Sequence, residues 1–276
     1  MSRAGLVLIL TCCGLLSTAS CARADETTGG TGAAAVPSAS TKAPTVPWQY
    51  QLQGPVDTSV DAATFDVDGF DVDDAIVADL HRRGRTVICY LNAGAREDWR
   101  PDAARYPADV VGAGIDGWPG ERWLDIRRID VLGPILADRF DMCRRKGFDG
   151  VEADNVDGYT HNSDFPLTAE DQLRFNRAVA GLAHERSLKI GLKNDLDQVA
   201  ALVGDFDFAV NESCAQYHEC EALAPFTSSG KTVLHVEYDL DPSAFCPLTQ
   251  QLGFRSIRKP LDLTASVQPC PSSRAS

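Results

Sequence analysis

The chain has 276 residues, of which 44% are hydrophobic and 24% are charged, and its formal net charge is −13 at pH 7. An acidic surface of this kind disfavours nucleic acid and anionic membranes as partners, and it is compatible with a cationic substrate. We expect a monomer that uses no cofactor.

The first 24 residues have the pattern of a secretory signal sequence. Arg3 provides a positive charge, residues 5–16 form an apolar run, and residues 22–24 fit a cleavage site. The apolar run is short for a membrane span, and we expect no other segment to cross a bilayer. The pattern predicts cleavage after Ala24 and secretion, with a lipid anchor on Cys21 as the alternative.

Residues 25–46 consist mainly of Gly, Thr, Ala, Ser and Pro. They bury too little apolar surface to offset the entropy lost on ordering, so we predict a flexible linker. Residues 47–276 are enough for a single α/β domain. Loss of residues 1–24, which carry two arginines and no acid, would change the net charge from −13 to −15.

From residue 47 onward, helical segments alternate with short β-rich runs. This alternation is typical of βα units and a parallel sheet. Eight strands favour a closed (β/α)₈ barrel, and no Gly-x-Gly-x-x-Gly follows the first strand to suggest a dinucleotide-binding sheet. The strands are predicted within residues 49–53, 64–67, 85–92, 147–157, 188–193, 207–210, 231–238 and 254–257.

Two of the predicted helices have clear limits. One runs from Ile129 to Lys146 and ends at Gly147, a residue type favoured just after a helix. The other begins after Thr168, which is a suitable N-cap because Asp171 follows three residues later. Both helices carry an apolar stripe that would pack on the sheet.

The connection formed by residues 96–128 is long for a βα unit and contains Trp99, Trp118 and Trp123. Long loops at the catalytic face of a barrel commonly form the substrate cleft. We expect this segment to do so, with the tryptophans mainly in packing roles and at most one against a sugar ring.

Residues 66–74 are rich in aspartate and superficially resemble a calcium-binding loop. The glycine is misplaced for an EF-hand, so calcium is the less favoured interpretation. We predict instead that Asp66 and Asp68 face the cleft and that Asp73 or Asp74 caps the next helix.

Polar residues collect where the predicted strands end. The acidic run at residues 147–157 is the densest group, and a solvated loop is the alternative interpretation of it. Because a barrel active site lies at the C-terminal ends of the strands, these side chains should converge, and paired acids suit glycoside hydrolysis. No Gly-x-Ser-x-Gly supports a serine triad. The candidates are Gln51, Asp66, Asp68, Asn92, Asp154, Asn155, Asp157, Lys193, Glu212 and Glu237.

Several separated motifs resemble the endo-α-1,4-polygalactosaminidase family, glycoside hydrolase family 114. The resemblance implies a secreted (β/α)₈ barrel that cleaves α-1,4-linked galactosamine in exopolysaccharide. It also implies that Asp154 and Glu212 are the catalytic acids. The motifs are residues 48–54, 90–94, 147–157, 211–212 and 235–238.

Deacetylated galactosamine is cationic, so an acidic cleft should attract it and favour it over acetylated chains. We cast Asp154 as nucleophile or stabilising base and Glu212 as general acid, and we favour retention of configuration. The remaining eight candidates are predicted to bind substrate, with structural roles as the alternative for Lys193 and Glu237. The competing functions are hydrolysis of another exopolysaccharide and sugar binding without catalysis.

Six cysteines remain after residue 24, and secretion would place them where disulfides persist. Cys214 and Cys220 lie in one loop, and we predict that they pair. Six cysteines allow fifteen connectivities, so the other pairings stay open. No Cys-x-x-Cys motif or histidine cluster indicates zinc. The candidate pairs are Cys246 with Cys270 and Cys89 with Cys143.

Overall fold

A computed structural model describes residues 46–271. The predicted signal sequence, the Cys21 anchor and nearly all of the predicted linker lie outside the described residues. Within residues 46–271, no helix combines the length and apolarity that a bilayer span requires.

The described residues alternate strands and helices along the chain. The strands are β1 (Gln49–Gln51), β2 (Thr64–Asp68), β3 (Thr86–Asn92), β4 (Ala95–Glu97), β5 (Val111–Ile115), β6 (Trp118–Leu124), β7 (Gly150–Asp154), β8 (Lys189–Lys193), β9 (Phe208–Glu212), β10 (Thr232–Glu237), β11 (Arg255–Arg258) and β12 (Gln268–Pro269). The α-helices are α1 (Asp74–Arg82), α2 (Ile129–Lys146), α3 (Ala169–His184), α4 (Val199–Leu202), α5 (Ala224–Ser228) and α6 (Pro242–Gln251).

Eight parallel strands form one curled sheet in the order β1-β2-β3-β7-β8-β9-β10-β11, and β12 adds an antiparallel edge to β11. These are the eight strands predicted from the sequence, and the fold class is confirmed. No ladder among residues 46–271 joins β1 to β11. Side chains and loops bridge that seam: Lys259 donates to Gln49 Oε1 at 2.9 Å, and Leu52 N donates to Leu263 O at 3.0 Å.

The helix ends follow the capping pattern of the sequence. Helix α2 ends at Gly147, whose φ of 92° is left-handed. Thr168 and Asp171 form a capping box at the start of α3. Asp73 caps α1 by accepting from Ile76 N. These predicted limits are confirmed.

Three disulfides join the six cysteines of the described region. Cys214 pairs with Cys220, as predicted. The other two disulfides match the candidate pairs. Cys89–Cys143 joins β3 to α2, and Cys246–Cys270 joins α6 to the segment after β12.

The aspartate-rich segment after β2 is held by a lysine. Lys146 at the end of α2 donates from Nζ to three backbone carbonyls, those of Gly69, Phe70 and Val72, at 2.7, 3.0 and 2.7 Å. The ammonium thus fixes the backbone of this segment against the end of α2.

A second sheet, in the order β4-β6-β5, lies inside the long connection after β3 and was not predicted. Arg100 attaches it to the barrel: the guanidinium donates to both oxygens of Asp68 at 3.0 and 2.5 Å, and to Glu97 at 2.8 Å. Arg139 on α2 adds contacts to Asp102 at 2.8 Å. We call β4, β5 and β6 the flap sheet.

Candidate active site

A cavity of about 1320 Å³ opens at the C-terminal ends of the barrel strands. Barrel strand ends form its floor, the flap sheet forms one wall, and the segment 261–264 forms part of the rim. The prediction that the long connection after β3 builds the cleft agrees with this placement.

Three charged side chains at the floor come from three neighbouring strands. Asp154, Lys193 and Glu212 are the last residues of β7, β8 and β9. Each is followed by a residue with left-handed backbone, with φ of 58° at 155, 49° at 194 and 60° at 213. Non-glycine residues adopt this conformation at a cost, and such sites concentrate where function requires a particular side-chain direction.

Lys193 joins the two predicted catalytic acids. Its Nζ lies 3.1 Å from Asp154 Oδ1 and 3.3 Å from Glu212 Oε2, and its side chain is only 3% exposed. It also lies 2.9 Å from Glu152 Oε1. Burial alone would lower the pKa of Lys193, but the carboxylates of Asp154, Glu152 and Glu212 outweigh it and raise that pKa well above its usual value.

Asp154 is surrounded by donors. Tyr90 OH donates to Oδ2 at 2.8 Å, while Lys193 and Asn155 N donate to Oδ1. Gly94 lets this turn approach closely, because a Cβ there would lie 1.7 Å from Asn155 O. Asp154 thus accepts hydrogen bonds from three protein donors.

Glu212 is held along its backbone and at its carboxylate. Asn194 Oδ1 accepts from Glu212 N at 3.0 Å, and Asn194 Nδ2 donates to Oε2 at 3.4 Å. Tyr238 OH donates to Oε1. The Glu212 side chain is 28% exposed, more than Asp154 at 18%, so it is open to the cavity.

A second layer of acids lies below the floor. Glu152 Oε1 accepts from Tyr50 OH at 3.0 Å and from Lys193, whereas Glu152 Oε2 and both oxygens of Asp66 lack a donor in the described structure. Burial, followed by the charge of Glu152 and a hydrogen bond to it, raises the pKa of Asp66 well above its usual value. A proton on Asp66 supplies the missing donor between these two carboxyl groups.

Four of the eight predicted substrate-binding residues line the cavity. These are Asp68, Asn155, Asp157 and Lys193. Asp68 is engaged by Arg100, and Asp157 lies 3.5 Å from His161. Lys193 lines the cavity and also contacts carboxylates of the protein, so substrate binding and a structural role both stay predictions for it.

The structure does not bring the other four to the cavity. Asp66 is fully buried in the layer described above. Gln51 holds the turn after β1 by donating to Pro55 O at 2.8 Å. Asn92 donates to Glu121 at 2.9 Å, and Glu237 accepts from Ala215 N at 2.8 Å beside His235. Asp66 and Glu237 are buried below the cavity floor, whereas Gln51 and Asn92 hold the turns that follow their own strands.

Several residues of the cavity carried no predicted role. Tyr50 and Tyr90 line the cavity and belong to the motifs at residues 48–54 and 90–94; their inward-facing positions on β1 and β3 are the available signal. Tyr238 follows β10 and contacts Glu212 without lining the cavity. Glu121 and His161 come from the flap sheet and a loop, where periodicity gives no direction. Trp99 and Trp118 line the mouth and are 54% and 46% exposed, while Trp123 packs against the His161 ring at 4.8 Å.

One group within residues 46–271 has the spacing of a metal site, and it consists of Cys214, Cys220 and His235. Cys214 and Cys220 are joined in a disulfide, which removes the thiolates that a metal would bind. The carboxylates of the cavity do not form such a group.

A family model described as glycoside-hydrolase family GH114 matches residues 30–274. The chain belongs to this family. It is therefore a glycoside hydrolase. A search of curated protein sequences returns no match.

Solved structures agree with the family assignment. The crystal structure of Ega3 from Aspergillus fumigatus in complex with galactosamine matches with 40% sequence identity and a TM-score of 0.78, covering 83% of this chain and 96% of Ega3. The glycoside hydrolase domain of PelA from Pseudomonas aeruginosa matches at 17% identity and a TM-score of 0.63, covering 82% of this chain and 98% of that domain. The similarity to the PelA domain shows that the two proteins share a fold.

Proposed function

We propose that this protein is a secreted endo-glycosidase that cleaves α-1,4-linked galactosamine polysaccharide, with Asp154 and Glu212 as the catalytic acids. The observation that carries the proposal is the placement of both carboxylates on one buried ammonium, that of Lys193, at the floor of one open cavity. Family membership supports the reaction class, and the similarity to Ega3, which binds galactosamine in its crystal structure, supports the substrate.

In this mechanism the ionised Asp154 attacks the anomeric carbon while Glu212 protonates the glycosidic oxygen that leaves. The sugar is then bonded to Asp154, and Glu212 is ionised. Glu212 next removes a proton from water, whose oxygen displaces Asp154 and restores both groups. Lys193 and the tyrosines hold the carboxylates in place throughout.

Retention of configuration is supported by the shared contact to Lys193. Asp154 Oδ1 and Glu212 Oε2 lie 3.1 and 3.3 Å from the same Nζ, so these oxygens are at most 6.4 Å apart, the sum of the two contacts. Retaining enzymes place the carboxyl groups about 5–5.5 Å apart, and inverting enzymes about 6.5–9.5 Å. The shared ammonium therefore keeps the two carboxyl groups close together, as a retaining mechanism requires.

The test measures hydrolysis of deacetylated galactosamine oligomers, with products identified by mass spectrometry. Asp154→Asn and Glu212→Gln are close to isosteric and should each reduce turnover by orders of magnitude while the protein remains folded, as circular dichroism would show. Asp262→Asn, which removes an exposed acid at the rim, is the matched control and should retain activity. Either catalytic variant retaining more than about a tenth of wild-type turnover contradicts that residue's role.

Two further outcomes of the same assay identify the competing functions. Cleavage of neutral oligomers alone would indicate another polysaccharide as substrate, and binding without any product would indicate a sugar-binding protein.

Secretion is supported by the three disulfides, which persist in oxidising compartments. Mass spectrometry of the mature protein should give an N-terminus at Asp25; a lipid on Cys21 would show anchoring instead.

A further inference from the structure

Nearly every sheltered carboxylate that lines the cavity has a basic partner within the protein. Glu121 is the exception among the described residues, because none of the ion pairs includes it. The paired acids and their partners are Asp68 and Glu97 with Arg100, Asp154 and Glu212 with Lys193, and Asp157 with His161.

Glu121 is nonetheless 91% buried, with a residue exposure of 9%. It lies on β6 of the flap sheet, opposite Glu97 on β4. One donor reaches it from the described residues: Asn92 Nδ2 donates to Oε2 at 2.9 Å, which leaves Oε1 without a protein donor. A buried carboxylate with one amide donor and no cation is poorly compensated.

The negative charges around Glu121 further disfavour the ionised form of its carboxyl group. Burial, and then the charges of Asp154 and Glu97, raise the pKa of Glu121 to about 7, although Asn92 and Arg100 oppose the shift. The side chain therefore lines a glycosidase cavity next to a proposed catalytic acid while lacking the positive charge that its neighbours have. A cation arriving with the substrate would supply it.

We infer that Glu121 is the specificity-determining carboxylate that receives the ammonium group of an amino sugar bound beside Asp154. This inference rests on the proposed function and names the contact that selects deacetylated sugar. An acetamido group can donate one N–H to Glu121 but brings no charge to pair with it. The flap sheet thereby contributes substrate selection, while the barrel strands contribute the catalytic acids.

The test compares wild type with Glu121→Gln and Asp116→Asn on deacetylated and fully acetylated galactosamine oligomers. Glutamine keeps the shape of Glu121 and still accepts from Asn92. Asp116 lies in the turn between β5 and β6, is exposed and also lines the cavity, so its variant removes the same charge from the same hairpin without a buried contact.

Loss of a charge-assisted contact predicts that Glu121→Gln raises KM for deacetylated oligomers about tenfold or more, with kcat and the constants for acetylated oligomers within about threefold of wild type. Asp116→Asn should change every constant by less than about threefold. The inference is overturned if Glu121→Gln keeps the wild-type preference, if both variants lose it equally, or if kcat falls alike on both substrates. Wild type that cleaves no galactosamine oligomer overturns the proposed function itself.

Discussion

Asp66 and Glu152 face each other inside the barrel, and one proton between them is consistent with their surroundings. Burial, together with the neighbouring charge of Glu152, raises the pKa of Asp66 well above its usual value. The folded protein therefore keeps a proton that the unfolded chain loses near pH 4. Because the folded state binds more protons above that pH, this residue makes the free energy of unfolding fall as pH rises.

Asp66→Asn should remove that dependence. Asparagine is neutral and can donate to Glu152, so we expect the variant to gain stability relative to wild type between about pH 4 and 7, by up to about 1.4 kcal/mol per pH unit. Urea unfolding across this pH range measures the difference. Asp102→Asn is the control: burial raises the pKa of Asp102, but the hydrogen bonds and charge of Arg139 outweigh burial and lower it, so the contribution of this residue changes only below about pH 4. The difference between Asp102→Asn and wild type should therefore be constant from about pH 4 to 7. A constant difference between Asp66→Asn and wild type contradicts the proton assignment.

The sequence predicts which strands supply the acidic residues, but it does not predict how deep in the barrel each acid lies. Side chains two residues apart on a strand share a face, so Glu152 and Asp154 both point inward, as do Asp66 and Asp68. The last inward residue of each pair reaches the cavity, and the earlier one is fully buried. Strand periodicity alone does not give the height of the cavity floor.

Among the elements, the flap sheet depends on tertiary contacts more than on its own strands. Its sequence contains Gly112, Gly114, Pro119 and Gly120, which strands disfavour, and this explains why the sheet was not predicted. Gly112 is required by packing, because a Cβ there would lie 2.0 Å from Ser163 O. Propensity could not reveal a sheet that the barrel and a following loop hold in place.

Arg100→Met should detach this sheet from the barrel. The change leaves the buried carboxylates of Asp68 and Glu97 without their main partner, so we expect a loss of about 3–5 kcal/mol in the free energy of unfolding. Amide hydrogen exchange should accelerate in β6 first, and KM should rise because the sheet forms one wall of the cavity. Arg122→Met removes an exposed arginine from β6 and should change none of these three quantities. Unaltered exchange in Arg100→Met would contradict the anchoring role.

For the whole molecule, the βα alternation was enough to predict eight parallel strands and their order. The strands are held by regular backbone ladders, which short β-rich runs and intervening helices reveal. In the described part of the chain, the seam between β1 and β11 has no such ladder. There the Lys259 side chain and the loop around Leu263 connect the two strands. Such side-chain closure has no periodic signature, so the sequence could not reveal it.

The acidic charge of the whole chain should act on substrate at long range, in addition to the direct contact at Glu121. The Debye length is about 30 Å at 0.01 M salt and about 3 Å at 1 M, so steering is lost over this interval while a sheltered pair is screened less. We expect kcat/KM for deacetylated polymer to fall at least about tenfold from 0.01 to 1 M salt, with acetylated polymer within about twofold. A residual preference for deacetylated polymer at 1 M salt should disappear in Glu121→Gln. A preference independent of salt in wild type would show that the overall charge plays no part in substrate capture.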